Sequence, residues 1–248
     1  RLEGCGRLIA VDLIGYGLSD KPELDYGIED HIRYLDAFID TLGPGPITLA
    51  SHDWGSFLGF HYAHRFPERI KGLAFMEALL DPVPDYDAFD PATRDFFQTL
   101  RASQANAERM MIDENQVVEG ILPAMIRRDL TAAEMEAYRM PWADKATRHI
   151  LCRFPQLLCI GGEPAHVHAM QTAYMRWLEQ STLPKLLLHA EPGLMVPAEA
   201  AAMYRDRLPN LETVDIGPGL HYVQEDQPQA IGEAIAAWMR RHGLVSGG

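Results

Sequence analysis

Short apolar runs alternate along this chain with stretches of helical spacing, and that alternation narrows the possible folds more than any other feature. Residues 7–12, 47–50, 72–77, 185–190 and 212–216 read as strands. Residues 28–42 carry Ile32, Leu35, Phe38, Ile39 and Leu42 at helical intervals, and 55–64, 198–208 and 231–241 read as further helices. Strand–helix alternation implies a mostly parallel sheet with helices on both faces, and in such sheets ligands bind beyond the carboxyl ends of the strands. From about 81 to 165 the alternation stops. Prolines and short amphipathic helices replace it, so this stretch is expected to be a helical insertion into an α/β domain.

Composition bounds the function. A chain of 248 residues with 47% hydrophobic and 23% charged residues suits one compact soluble domain with an insertion. Its net charge of −13 would repel a polyanion, so no nucleic-acid partner is expected. No apolar run is long enough to span a membrane. Cys5, Cys152 and Cys159 form an odd set without paired spacing, which argues against a disulfide framework or a metal site and suits a reducing, cytoplasmic setting. No secretory leader is visible, although position 1 is Arg rather than Met.

The chemistry centres on Ser51-His52-Asp53-Trp54-Gly55, between a strand and a helix. Small residues on either side of Asp53 suit the sharp turn that presents a nucleophile above a sheet, with aspartate where hydrolases commonly place serine. An aspartate is already ionised at neutral pH and needs no base to become a nucleophile. The competing reading is that Asp53 merely caps the helix. His221 follows the last strand on the same rim, where it could activate a water beside Asp53. Glu77 and Glu191 both end strands near enough to orient that histidine, and sequence alone does not choose between them. Trp54 offers an indole N–H to an anion, or is simply a packing aromatic.

With these residues in place the chain resembles the haloalkane dehalogenases of the α/β-hydrolase fold. The likeness runs through Asp12-Leu-Ile-Gly-Tyr-Gly-Leu-Ser-Asp-Lys-Pro22, His52-Asp-Trp-Gly55, Phe75-Met-Glu-Ala78, Gly162-Glu-Pro-Ala165, Ala190-Glu-Pro-Gly193 and Leu220-His-Tyr-Val-Gln-Glu-Asp226. It implies a core of residues 1–80 and 166–248 and a helical cap of residues 81–165. It assigns the acid to Glu77, halide binding to Trp54 with Pro164 beside the halide, and the substrate pocket to Leu194, Met195, Tyr222, Phe89, Phe96, Phe97 and Phe154. The cap phenylalanines could equally be cap core. Members of the family also carry earlier strands and a His-Gly-Asn segment whose Asn is a second halide donor. Here His-Gly occurs only at His242-Gly243, and Asn106, Asn115 and Asn210 fall elsewhere. The expectation is that the native protein has an N-terminal part ahead of Arg1, since residues 8–11 would otherwise be an edge-exposed strand. The alternative is a chain without its second halide ligand.

The resemblance implies hydrolytic dehalogenation of a small halogenated alkane to an alcohol, a halide ion and a proton through an alkyl-aspartate. No metal or organic cofactor is required, and the protein would be a monomer or small homo-oligomer. An epoxide hydrolase would share Asp53, Glu77 and His221 but needs cap tyrosines, for which Tyr86 and Tyr138 are available. A serine esterase is disfavoured, because Ser51 lies off the apex. A truncated, non-catalytic relative is the remaining alternative.

Overall fold

The computed structural model describes residues 2–245. Four strands, β1 (Ile47–Asp53), β2 (Ile70–Ala78), β3 (Lys185–Pro192) and β4 (Leu211–Gly219), pair in that order. Every pairing is parallel. The alternation of side chains along the strands divides the core in two. Leu73 and Phe75 of β2 and Leu187 of β3 point into one apolar cluster with α2 (Trp54–Arg65), while Ala74, Met76, Leu186 and Leu188 point into another with Ile231, Ile235 and Trp238. Helices therefore cover both faces, as the alternation requires.

Helix α1 (Ile28–Thr41) begins with Glu29 and Asp30, acids that favour the positive end of a helix dipole, and buries Ile28, His31 and Ile39. Helix α2 is enclosed along most of its length. Phe57 and Phe60 meet Tyr174 at 5.3 and 5.5 Å between ring centroids, from a helix spanning Ala165–Leu178. That helix has no counterpart in the sequence reading. The last helix, Pro228–Arg241, lies so close to β2 that a Cβ on Gly72 would come within 2.8 Å of the Trp238 ring.

Residues 86–157 carry only helical segments and turns. Among them are α3 (Pro91–Ala102), two stretches of π-helix at Glu108–Asp113 and Val117–Ile121, and a capped helix at Ala132–Arg139. These enclose a third cluster around Leu100, Met111, Ile150 and Cys152, to which Tyr26 also belongs.

The expected strand at 7–12 is not formed. Leu8, Ile9 and Val11 are 55%, 43% and 43% exposed, and among the described residues no strand pairs with them. An apolar run acquires a ladder only from a neighbour, and none of the four strands lies beside this one.

Candidate active site

Strand β1 ends and α2 begins at Asp53, whose φ of 48° and ψ of −126° lie outside the ordinary allowed regions for a side-chain-bearing residue. Such backbone costs on the order of 1–3 kcal/mol and persists only where its surroundings enforce it. The Asp53 carbonyl accepts from Ser56 Oγ at 2.6 Å, and that hydroxyl in turn accepts from Leu79 N at 2.9 Å. The Asp53 carboxylate accepts nothing from the helix it starts, so it is no cap, and its side chain stays 33% exposed. A Cβ on Gly55 would meet nothing within 4 Å, so the turn does not depend on a small residue there.

Glu77 near the end of β2 also has a left-handed backbone, φ 41°, and is 1% exposed. Its carboxylate accepts from the amides of Leu194 (3.2 Å), Met195 (2.8 Å) and Val196 (3.3 Å), and from the imidazole Nδ1 of His221 at 3.2 Å. Glu191, the other candidate, is exposed at the end of β3. The geometry thus puts Glu77 behind His221.

On its other side, His221 Nε2 lies 3.9 Å from Asp53 Oδ2, too far for a direct hydrogen bond. Burial pulls the His221 pKa down, but the bond to Glu77 and the charges of Asp53 and Glu77 outweigh it, and the net shift is upward. Because Nδ1–H faces a carboxylate, Nε2 is the nitrogen left free to take a proton.

Two partners escaped the sequence reading. His52 donates from Nε2 to the His221 carbonyl at 2.7 Å, since a carbonyl can only accept. The Met125 carbonyl accepts from both His221 N and Tyr222 N at 3.2 Å. Burial, then the neighbouring His221, lower the His52 pKa, which keeps its ring neutral.

Trp54 follows Asp53 directly and is 8% exposed. Its ring stacks on Phe154 at 4.7 Å and 10°, and Phe154 stacks on Tyr16 at 5.4 Å and 17°, so three rings form a near-parallel pile beside the elbow. Of the four phenylalanines expected in the pocket, Phe154 alone is shown against Trp54. Phe89, Phe96 and Phe97 pack on one another, with Phe96 and Phe97 against the third cluster.

Leu194 and Met195 lie on the loop that holds Glu77, and the Tyr222 ring meets His221 edge-on at 5.0 Å. Burial, then the Asp53 charge, raise the Tyr222 pKa. Pro164 immediately precedes the 165–178 helix. Tyr138 donates its hydroxyl to Glu225, and Tyr86 sits in a turn capped by Asp85. Among the described residues no three His, Cys, Asp or Glu side chains converge as a metal ion requires, and no helix is long and apolar enough to cross a membrane.

A strained aspartate at a strand-to-helix elbow, faced by a histidine–glutamate pair on the same rim of a parallel sheet, defines an α/β hydrolase. The α/β-hydrolase fold family model accordingly matches residues 7–228. The curated haloalkane dehalogenase of Sphingobium indicum is 44% identical over 96% of this chain and 81% of its own length. That of Mesorhizobium japonicum is 42% identical over 94% and 76%. Among solved structures, the haloalkane dehalogenase DbeA of Bradyrhizobium elkani superposes with a TM-score of 0.90 at 41% identity, over 95% of this chain and 81% of that one. The chain belongs to the haloalkane dehalogenase family.

Proposed function

We propose that this protein hydrolyses the carbon–halogen bond of small haloalkanes, with Asp53 as nucleophile, His221 as general base and Glu77 as the acid that orients it. The observation that carries this reading is the Asp53 carboxylate, unbonded to its helix and partly open, with Nε2 of His221 poised 3.9 Å away.

In the first step an Asp53 oxygen attacks the carbon from the side opposite the halogen. A carbon–oxygen bond forms, and the carbon–halogen bonding pair leaves with the halide. The Trp54 indole N–H, next to Asp53, donates to that anion, where low dielectric strengthens the bond. In the second step His221 Nε2 takes a proton from water, and the resulting hydroxide adds to the ester carbonyl of Asp53. The tetrahedral species collapses, the alkoxide leaves as alcohol with the proton from His221, and the hydroxyl proton left on Asp53 passes to solvent, which restores the carboxylate. Glu77 stabilises the imidazolium in between.

In this proposal residues 81–165 act as a cap over the core formed by 1–80 and 166–248. Phe154, Leu194, Met195 and Tyr222 line the substrate chamber, with Phe89, Phe96 and Phe97 on its cap side and Pro164 by the halide. The buried, free cysteines fit a cytoplasmic setting. The epoxide-hydrolase reading is weaker because Tyr138 is already committed to Glu225.

The decisive experiment exposes a His221→Phe variant to 1-bromobutane and maps the product by mass. A butyl group on Asp53, with one bromide released per protein, is the expected result. Absence of that adduct would refute the division of roles.

A further inference from the structure

Outside the reacting groups, a dense polar network fastens residues 125–138 to the segment that carries His221. The Met125 carbonyl takes both His221 N and Tyr222 N at 3.2 Å. Four residues further on, the Asp226 carboxylate accepts the amides of Arg127 and Arg128, each at 3.1 Å. Arg128 then reaches back with Nε to the Glu225 carbonyl at 2.8 Å and with Nη2 to the Glu225 carboxylate at 2.6 Å. Its guanidinium also pairs with Glu134 at 2.8 and 3.0 Å, and Tyr138 donates to Glu225. Glu134 in turn closes the capping box that starts the 132–139 helix.

This grip has a mechanical consequence. The His221 main chain is held from two sides: its N–H by the 125–128 turn, and its carbonyl by His52 of the elbow at 2.7 Å. The imidazole is tethered to Glu77 at Nδ1 only, so its distance from a water near Asp53 is set by where that main chain sits. A misplacement of about 1 Å in a reacting group can cost about 10²-fold in rate. The first half of the reaction does not use His221, whereas the second depends on it.

We propose that Asp226 and Arg128 are positioning residues for the water-activating step: by clamping the 125–128 turn to the 221–226 segment they fix His221, and loosening them slows ester hydrolysis while alkylation proceeds as before. This rests on the reading of Asp53 as the alkylated group and His221 as the base. The bonds of both residues run to the 125–134 stretch and to Glu225, not to Asp53 or the His221 imidazole. The amides of Arg127 and Arg128 need only an acceptor, and Asp226 Oδ1 lies within reach of both. Asparagine can therefore replace aspartate as the anchor, and alanine cannot.

The test is rapid-quench kinetics on the full chain with 1-bromobutane, following bromide release and alkyl-enzyme decay separately. For Asp226→Ala the expected result is alkyl-enzyme decay slowed by about 10- to 100-fold, with bromide release in the first turnover within about twofold of the parent. Asp226→Asn is expected to restore most of the decay rate. Arg128→Met, which keeps the turn amides but removes the guanidinium links, is expected to slow decay in the same direction by a smaller factor, and it decides the matter if Asp226→Ala does not fold.

Equal losses in both steps, or none in either, would overturn the proposal. So would an Asp226→Asn variant as slow as the alanine, since the carboxylate's charge rather than its anchoring would then be responsible. A His221→Phe control that accumulates no alkyl-enzyme would instead mark failure of the underlying mechanism.

Discussion

In a Glu77→Gln variant, two carboxylate oxygens that accept from four groups become one acceptor and one donor. The wild-type carboxylate takes three backbone N–H groups, at 2.8 to 3.3 Å, and the imidazole at 3.2 Å. If the glutamine oxygen keeps the Met195 amide and His221, its NH2 group faces Val196 N, and one buried N–H is left unpaired. Such an orphan costs about 1–3 kcal/mol, and the surviving bonds fall from charge-assisted to neutral strength, adding about 1–2 kcal/mol. A loss of about 3 kcal/mol lowers Tm by about 6–12 °C in a chain of this size.

The same substitution withdraws the partner of the imidazolium, so alkyl-enzyme hydrolysis should slow by about 10²- to 10⁴-fold while alkylation changes little. The pH dependence carries a sign. His221 has its pKa raised in the folded protein: burial lowers it, but the Glu77 bond and the charges of Asp53 and Glu77 prevail. Hydrolysis needs the neutral ring and should rise with pH through the His221 titration of the alkyl-enzyme, where the Asp53 charge is gone and the Glu77 bond and charge alone oppose burial. Removing Glu77 moves that titration toward acid. By linkage, a raised folded pKa stabilises fully below the unfolded value and ceases to do so as pH climbs through the folded one. The His221 part of the Tm deficit should therefore be largest below pH 6.5 and shrink above it. Calorimetry across pH, with quench-flow bromide and alcohol measurements, supplies both readouts. An unchanged hydrolysis rate alongside the predicted Tm loss would refute the assignment of Glu77 as the orienting acid.

Two further substitutions probe the surroundings. Trp54→Phe keeps the stack on Phe154 but removes the indole N–H, so first-turnover bromide release should slow by about 10²-fold with hydrolysis nearly unaffected. An unchanged first turnover would show that Trp54 only packs. His31 is 1% exposed, lies 4.5 Å from Phe154 and finds no described partner for either ring nitrogen; burial holds its pKa down at about 4. The folded state then binds fewer protons than the unfolded between about pH 4 and 6.5. Stability conferred by the neutral ring is present above that window and lost as pH falls through it, to the extent of about 3 kcal/mol. His31→Phe should abolish that part of the acid sensitivity. Parallel Tm–pH curves for the two proteins would contradict this.

How far the sequence reveals the site depends on the range of the interaction concerned. Asp53, His221 and Glu77 were readable because topology alone delivers them: each ends or follows a strand of a parallel sheet, and a parallel sheet brings such ends to one rim. The choice of Glu77 over Glu191 was not readable from the residues, because both end strands. Three backbone amides on a loop 117 to 119 residues away single out Glu77. The 165–178 helix was readable in principle, since Val167, Gln171, Tyr174 and Leu178 are buried at helical intervals. The strand expected at 7–12 failed for the opposite reason, because an apolar run names a strand's composition but not its neighbour. His52 and Asp226 lie in segments that carry the resemblance, but nothing local to them, or to Met125, gave their bonding partners. Two of them act through main-chain atoms of His221, and the third binds amides 98 and 99 residues away.

The two strained residues show why such distant bonds matter. Asp53 and Glu77 both hold left-handed backbone, and the β1–β2 register slips between His52 and Asp53. Neither conformation is favoured by an aspartate or a glutamate on its own, at about 1–3 kcal/mol each. Local sequence therefore opposes the geometry that the proposed chemistry needs. It is enforced by bonds that reach beyond each turn: by Ser56 on the Asp53 carbonyl, itself fixed by Leu79 N of the next strand's end, by the 194–196 loop on the Glu77 carboxylate, and by His52 and Met125 on His221. A substitution that weakens any one of these should disturb the reacting geometry before it unfolds the chain, because the strain relaxes locally first.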